Sequence, residues 1–207
     1  MEKLTISDCN QYLEEGFLTK SFLETELVID KVLRDYNNKI KENPNHTKID
    51  SLINWIHHCL NVKPSQDEKD KVKFQRTAKE IWESGFASGC TDWSIVFSTL
   101  ARQVGIPTTF LHTAEFNWIK NLQNKVKQPI HIGHSFCECF YDGKWILVDP
   151  TFRKIEFEYD INKLTLSYQV SNSKIYIPYY RGLDLGKKQT IREHNNEMDK
   201  ECFNLIL

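Results

Sequence analysis

Apolar positions along the chain change period once, and the change divides it. From about residue 5 to about residue 85 they recur at helical spacing. Phe22, Leu23, Leu27, Val28, Val32 and Leu33 mark one helix face. Ile49, Leu52, Ile53, Ile56 and Leu60 mark a second, and Val72, Phe74, Ala78, Ile81 and Trp82 a third. Asn43-Pro44-Asn45 and the linker around Lys63-Pro64-Ser65 separate the three. After the small-residue loop Phe86-Ala87-Ser88-Gly89, a further helix is expected to begin and to carry Trp93, Phe97, Leu100, Ala101 and Val104. Gly105 and Pro107 end it.

The period then shortens. Thr108 to Leu111 reads as a strand. Gly133 to Tyr141 and Lys144 to Asp149 read as a hairpin around Asp142-Gly143, a pair suited to the positive φ of a two-residue turn. Residues 117–130 form a polar amphipathic insertion. Its stripe of Trp118, Ile119, Leu122 and Val126 is expected to pack on the core, with a lid over a site as the sharper alternative. Lys174 to Tyr180 reads as an edge strand, because Pro178 cannot donate to a ladder, and 188–205 as a helix. The pattern therefore predicts a helical N-terminal lobe (1–85), a mixed helix-and-strand core (86–152) and a C-terminal strand and helix (153–207) completing the same domain.

Composition narrows the class. The chain has 207 residues, 40% hydrophobic and 27% charged, with a net charge of −1. It can bury a core without disulfides or metal. No basic excess points to nucleic acid, and no basic amphipathic stretch points to a membrane surface. The first residues lack the apolar stretch of a signal peptide, and no apolar run approaches the roughly 18 residues of a membrane span. The six cysteines are irregularly spaced. Reduced thiols in a cytoplasmic protein are the simplest reading.

Cys90 stands out by its place. A thiol attacks a carbonyl as the thiolate, and a helix N-terminus or a cationic histidine favours that anion. Cys90 follows Ser88-Gly89 at the expected first helical turn, where free backbone N–H groups can also stabilise an oxyanion. A small buried core cysteine is the alternative that Cys90 alone leaves open.

The hairpin adds geometry. A turn centred on Asp142-Gly143 pairs Tyr141 with Lys144, Phe136 with Asp149 and His134 with Thr151. His134, Phe136 and Asp149 then share one face, and Asp149 is the diagonal neighbour of His134, with Cβ atoms roughly 7 Å apart. A carboxylate within such reach can fix an imidazole's tautomer and stabilise its cation. Spacing alone does not bring this hairpin to the start of the Cys90 helix.

Three motifs supply that link. Ser88-Gly89-Cys90-Thr91-Asp92, with Phe97, Leu100-Ala101-Arg102 and Gly105-Ile106-Pro107, resembles the cysteine motif of the transglutaminase-like superfamily. Gly133-His134-Ser135-Phe136 with Glu138 resembles its histidine motif. Asp142-Gly143-Lys144-Trp145 with Val148-Asp149-Pro150-Thr151 resembles its aspartate motif. The resemblance covers roughly residues 84–152; Arg181-Gly182-Leu183-Asp184 is also similar to small bacterial members.

The resemblance implies an α+β, papain-like core, with the nucleophile helix packed on an antiparallel sheet. It implies Cys90 as nucleophile, His134 as base and later acid, and Asp149 as the orienting carboxylate, with no metal or cofactor. The implied substrate is a protein or peptide amide. Hydrolysis is the favoured outcome, since no calcium-site signature is visible, while transfer to an amine and peptide–glycan amidase chemistry use the same motifs. A catalytically silent interaction module on the same fold is the alternative from another class, and arylamine acetyl transfer shares the Cys–His–Asp logic.

Other groups weigh less. Cys137 and Cys139 fall on the face opposite His134, which argues against one zinc ion using them with His131 and His134. His57-His58 lacks a partner motif. The charged run Gln66 to Lys71 reads as a solvated face.

Overall fold

A hydroxyl residue followed three positions later by an acid starts four of the helices. The computed structural model describes residues 9–128, 131–162, 166–168 and 174–205. After a short 3-10 turn (Cys9–Leu13) come α1 (Thr25–Lys39), α2 (Lys48–Cys59), α3 (Gln66–Val72), α4 (Ala78–Ser84) and α5 (Cys90–Gln103). Strand β1 (Thr108–Glu115), α6 (Phe116–Gln123), β2 (Gly133–Tyr141), β3 (Lys144–Asp149), β4 (Lys154–Glu156), β5 (Leu166–Tyr168), β6 (Lys174–Gly182) and α7 (Ile191–Phe203) follow. Thr47 with Asp50, Ser65 with Glu68, Thr77 with Glu80 and Thr190 with Glu193 form capping boxes at α2, α3, α4 and α7.

The pattern from Val72 to Trp82 is not one helix. The Thr77–Glu80 box starts α4 afresh, and Phe74 takes a left-handed turn (φ +63°) that ends α3. Its ring then stacks on His194, 3.8 Å between centroids. The first helix likewise begins at Thr25, so Phe22 and Leu23 pack on the core from outside it.

Helix α5 is central. From Thr91 to Gln103 every residue but Trp93 is buried. One side meets β1 and β2, and the other meets α1, α2 and α4. Val32, Leu52, Ile56, Ile81, Phe97, Leu100, Phe110 and Val148 belong to the shared core. Arg102 ties this core to both ends of the chain, donating to the carbonyls of Tyr12, Thr108 and Leu183 and to Thr19 Oγ1 at 2.7–3.2 Å. Gly105 (φ +80°) ends the helix as expected.

The sheet is antiparallel, in the order β4-β3-β2-β1-β6-β5. Its hairpin has the expected register, with Tyr141 opposite Lys144 and Cys137 opposite Val148, and Asp142 and Gly143 both have positive φ. Pro178 argues for an edge strand, yet β6 lies between β1 and β5. The proline is accommodated at a bulge. Thr113 opposes Pro178 while His112 opposes Tyr180, so Tyr179 is the extra residue. Cys137 and Cys139 sit in the α5-facing core, whereas Phe136 packs with Leu111, Leu147 and Tyr176.

The insertion helix α6 packs on the body of the protein. Trp118 and Ile119 are buried with Ala114, Ile177, Met198 and Cys202 of β1, β6 and α7. The expected beginning of the helical lobe near residue 5 and the end of the insertion at residues 129–130 lie outside the described residues. No helix among the described residues is long and apolar enough to cross a membrane.

Candidate active site

The loop before Cys90 is built first. Asp92, in the first turn of α5, accepts from Ser88 N (2.8 Å) and Ser88 Oγ (2.7 Å) and pairs with Arg76. Arg76 also donates to Ser84 Oγ and to Phe86 O, and stacks over the Phe86 ring. Both ends of the Arg76–Asp92 pair are buried, so the turn that presents Cys90 is fixed from beneath. A Cβ added at Gly89 would meet nothing within 4 Å, which leaves the approach to Cys90 open.

The hairpin brings its histidine to this turn. His134 hydrogen-bonds through Nε2 to Asp149 Oδ2 at 2.7 Å and shares a cleft with Cys90, whose thiolate favours the histidine cation. Asp149 is 1% exposed. Its other oxygen accepts from the N–H groups of Thr151 (2.9 Å) and Phe152 (3.2 Å), a tight turn at the end of β3 that sets the carboxylate's direction. Cys90, His134 and Asp149 are thus brought together.

His57 was invisible as a site neighbour in the sequence. Its ring is stacked on Trp93 of α5 (4.0 Å, 13°), and its Nε2 bonds the carbonyl of Pro150 at 2.7 Å. It braces the Asp149 turn against the Cys90 helix.

The electrostatics single out one thiol. Burial pushes Cys59, Cys137, Cys139 and Cys202 up, Cys137 and Cys202 to about 12. Burial pushes Cys90 up as well. The hydrogen bond from His134, its positive charge and the bonds from Ser135 outweigh that effect and bring Cys90 down to about 7. Burial works against the His134 cation too, but its bonds to Asp149 and Cys90 lift it to about 10. Each group favours the charged form of the other, and their titration belongs to the two together.

Cys90 and His134 open into a cleft of about 300 Å³. Its far wall comes from segments to which sequence reasoning assigned no chemistry: Tyr179 of β6, His194, Asn195 and Met198 of α7, and Lys73-Phe74 before α4. Burial holds His194 down at about 4 and His112 well below the usual histidine range. Both are neutral near pH 7.

This fold and site can be set beside known proteins. The family model of the transglutaminase-like superfamily matches residues 34–150, more than half of the chain. The chain belongs to the transglutaminase-like superfamily. Cys90, His134 and Asp149 all fall within the matched span. The match begins at Arg34, so α2 to α4 lie inside the family region and not outside it, as motifs confined to 84–152 would imply. A solved chain from Cytophaga hutchinsonii, described as a candidate cysteine protease, superposes with a TM-score of 0.48 at 14% identity. The alignment covers 91% of this chain and 53% of that one, so this chain spans about half its length. No curated protein matches.

Proposed function

We propose that this member of the superfamily is a thiol amide hydrolase with Cys90 as nucleophile, His134 as proton carrier and Asp149 as orienting carboxylate. One observation carries the reading: among the described cysteines, Cys90 alone begins an α-helix, in a cleft it shares with a histidine that a buried aspartate holds.

The chemistry follows from those positions. The Cys90 thiolate attacks an amide carbonyl, and a C–S bond forms as the carbonyl oxygen takes up charge. The N–H groups of the first turn of α5, unpaired within the helix, receive that oxyanion. His134 gives its proton to the amide nitrogen, the C–N bond breaks and the amine leaves an acyl-thioester. Water then attacks, with His134 accepting its proton, and the thiolate is released with the acid. Histidine and asparagine side chains in the cleft wall give water a polar path to the thioester. The cleft's size suits a side chain or short segment of a peptide substrate.

The test has two parts. Cysteine-resolved iodoacetamide labelling across pH is expected to show Cys90 reacting ahead of Cys9 and Cys59, with His134→Ala removing the advantage. Equal reactivity at all three, unchanged by His134→Ala, overturns the assignment. A peptide-amide library, with and without added primary amine, then separates the outcomes. Free acid supports hydrolysis, amine incorporation assigns an acyltransferase, and no turnover despite a reactive Cys90 favours a silent module.

A further inference from the structure

Cys90 has a second polar neighbourhood besides His134 and Asp149. Ser135 lines the cleft beside Cys90, and its hydroxyl and backbone N–H both favour the thiolate. Ser135 Oγ lies 3.2 Å from Thr91 Oγ1, and Thr91 Oγ1 lies 3.3 Å from His112 Nε2. His112 Nδ1 lies 2.9 Å from the Tyr179 hydroxyl. Four side chains from β2, α5, β1 and β6 form one line, whose β2 end lies beside Cys90 in the cleft lining. Ser135 is 0%, Thr91 4% and His112 4% exposed, so solvent does not compete for these bonds.

Proton count gives the line a direction. Each hydroxyl has a single proton to donate. When Cys90 is a thiolate it only accepts, so Ser135 donates to sulfur. Thr91 then donates to Ser135, and His112 donates its Nε2 proton to Thr91. A neutral His112 protonated at Nε2 has a bare Nδ1, which accepts from Tyr179. Tyr179 is aimed there by the β6 bulge: as the extra residue opposite His112, it is turned onto that ring.

We propose that Tyr179, His112, Thr91 and Ser135 form a hydrogen-bond relay with every donor directed at Cys90, and that His112 and Tyr179 are positioning residues for the thiolate. The relay rests on the reading of Cys90 as nucleophile. It is distinct from the His134–Asp149 arm. That arm supplies a charge and a mobile proton, whereas the relay supplies fixed dipoles and moves no proton to the substrate. The titratable groups facing Cys90 and His112 include His134, Asp149, Tyr176, Tyr179, Tyr180, His131, His194, Lys73, Glu197 and Glu201.

The experiment is the pH profile of iodoacetamide alkylation at Cys90, resolved by mass spectrometry, in the wild type and in Thr91→Val, Thr91→Ser, Tyr179→Phe and His134→Ala. Valine keeps the shape of Thr91 and removes its hydroxyl. It is expected to move the midpoint up by about one pH unit, so that below the wild-type midpoint the rate falls about tenfold. Thr91→Ser retains the donor and keeps the wild-type midpoint. Tyr179→Phe, two links further out, moves it the same way by less, and decides the matter if Thr91→Val does not fold. Profiles of Thr91→Val and Tyr179→Phe that superimpose on the wild type, while Cys90 remains the fast and His134-dependent thiol, overturn the relay alone. A Cys90 no faster than Cys9 overturns the nucleophile reading as well.

Discussion

Asp149 shows how much a single side chain does here. One oxygen directs His134 and the other is held by two backbone N–H groups, so the carboxylate has no freedom to turn away. In Asp149→Ala, His134 loses a hydrogen bond and a charge that favour its cation, and Cys90 loses its cationic partner. The thiolate midpoint is expected to rise from about 7 towards the usual 9.0. The sign is fixed: between the two midpoints the wild type is thiolate and the variant is thiol. Alkylation at neutral pH should fall by about tenfold for each unit of that rise, with little difference at high pH, where both are ionised. A stopped-flow alkylation profile checks this, and an Asp149→Ala midpoint equal to the wild type would detach the carboxylate from the thiol. The His134–Asp149 pair was legible in the sequence, because the Asp-Gly turn fixes register and register fixes faces. His112 and Tyr179 were not. Their meeting depends on a one-residue shift in β6, and Pro178, which suits an edge strand and a bulge alike, does not tell the two apart.

Elements were legible through their apolar period, and the chemistry at their starts is a separate signal that the period does not carry. Thr47–Asp50, Ser65–Glu68, Thr77–Glu80 and Thr190–Glu193 all show the hydroxyl–acid spacing of a helix start in the bare sequence. Apolar periodicity alone ran Val72 to Trp82 together, because spacing does not register the left-handed turn at Phe74. Two substitutions near that turn separate local from tertiary stabilisation. Thr77→Ala removes a side-chain cap from α4 and should cost about 1 kcal/mol. Asp92→Asn leaves Arg76 buried without its counter-charge and should cost about 3–5 kcal/mol. Denaturant unfolding measures both. Equal losses would mean that the Cys90 turn depends on α4 itself, and not on the ion pair beneath it.

At the scale of the molecule, the cleft joins parts far apart in the chain. Its floor is the family's cysteine helix and histidine strand, while its far wall is α7, held by α6 on one side and by Phe74 on the other. Gln189 N donates to Phe74 O at 2.8 Å, and the His194 ring lies against the Phe74 ring, so the segment before α4 and the C-terminal helix close on each other. The sequence showed a helix at 188–205 but not its partner, since an amphipathic stripe says that a face is covered and not by what. If this wall limits what reaches Cys90, bulk added to it should discriminate by size. Asn195 lines the cleft from a partly exposed position on α7, where a larger side chain has solvent to expand into. In Asn195→Trp, alkylation of Cys90 by a bulky aryl maleimide should slow about tenfold, equivalent to roughly 1.4 kcal/mol of added barrier, while iodoacetamide keeps its rate. Slowing of both reagents together would point to a disturbed thiolate, and slowing of neither would place the approach to Cys90 along another wall, past Gly89 and the exposed Phe152 ring that stacks on His134.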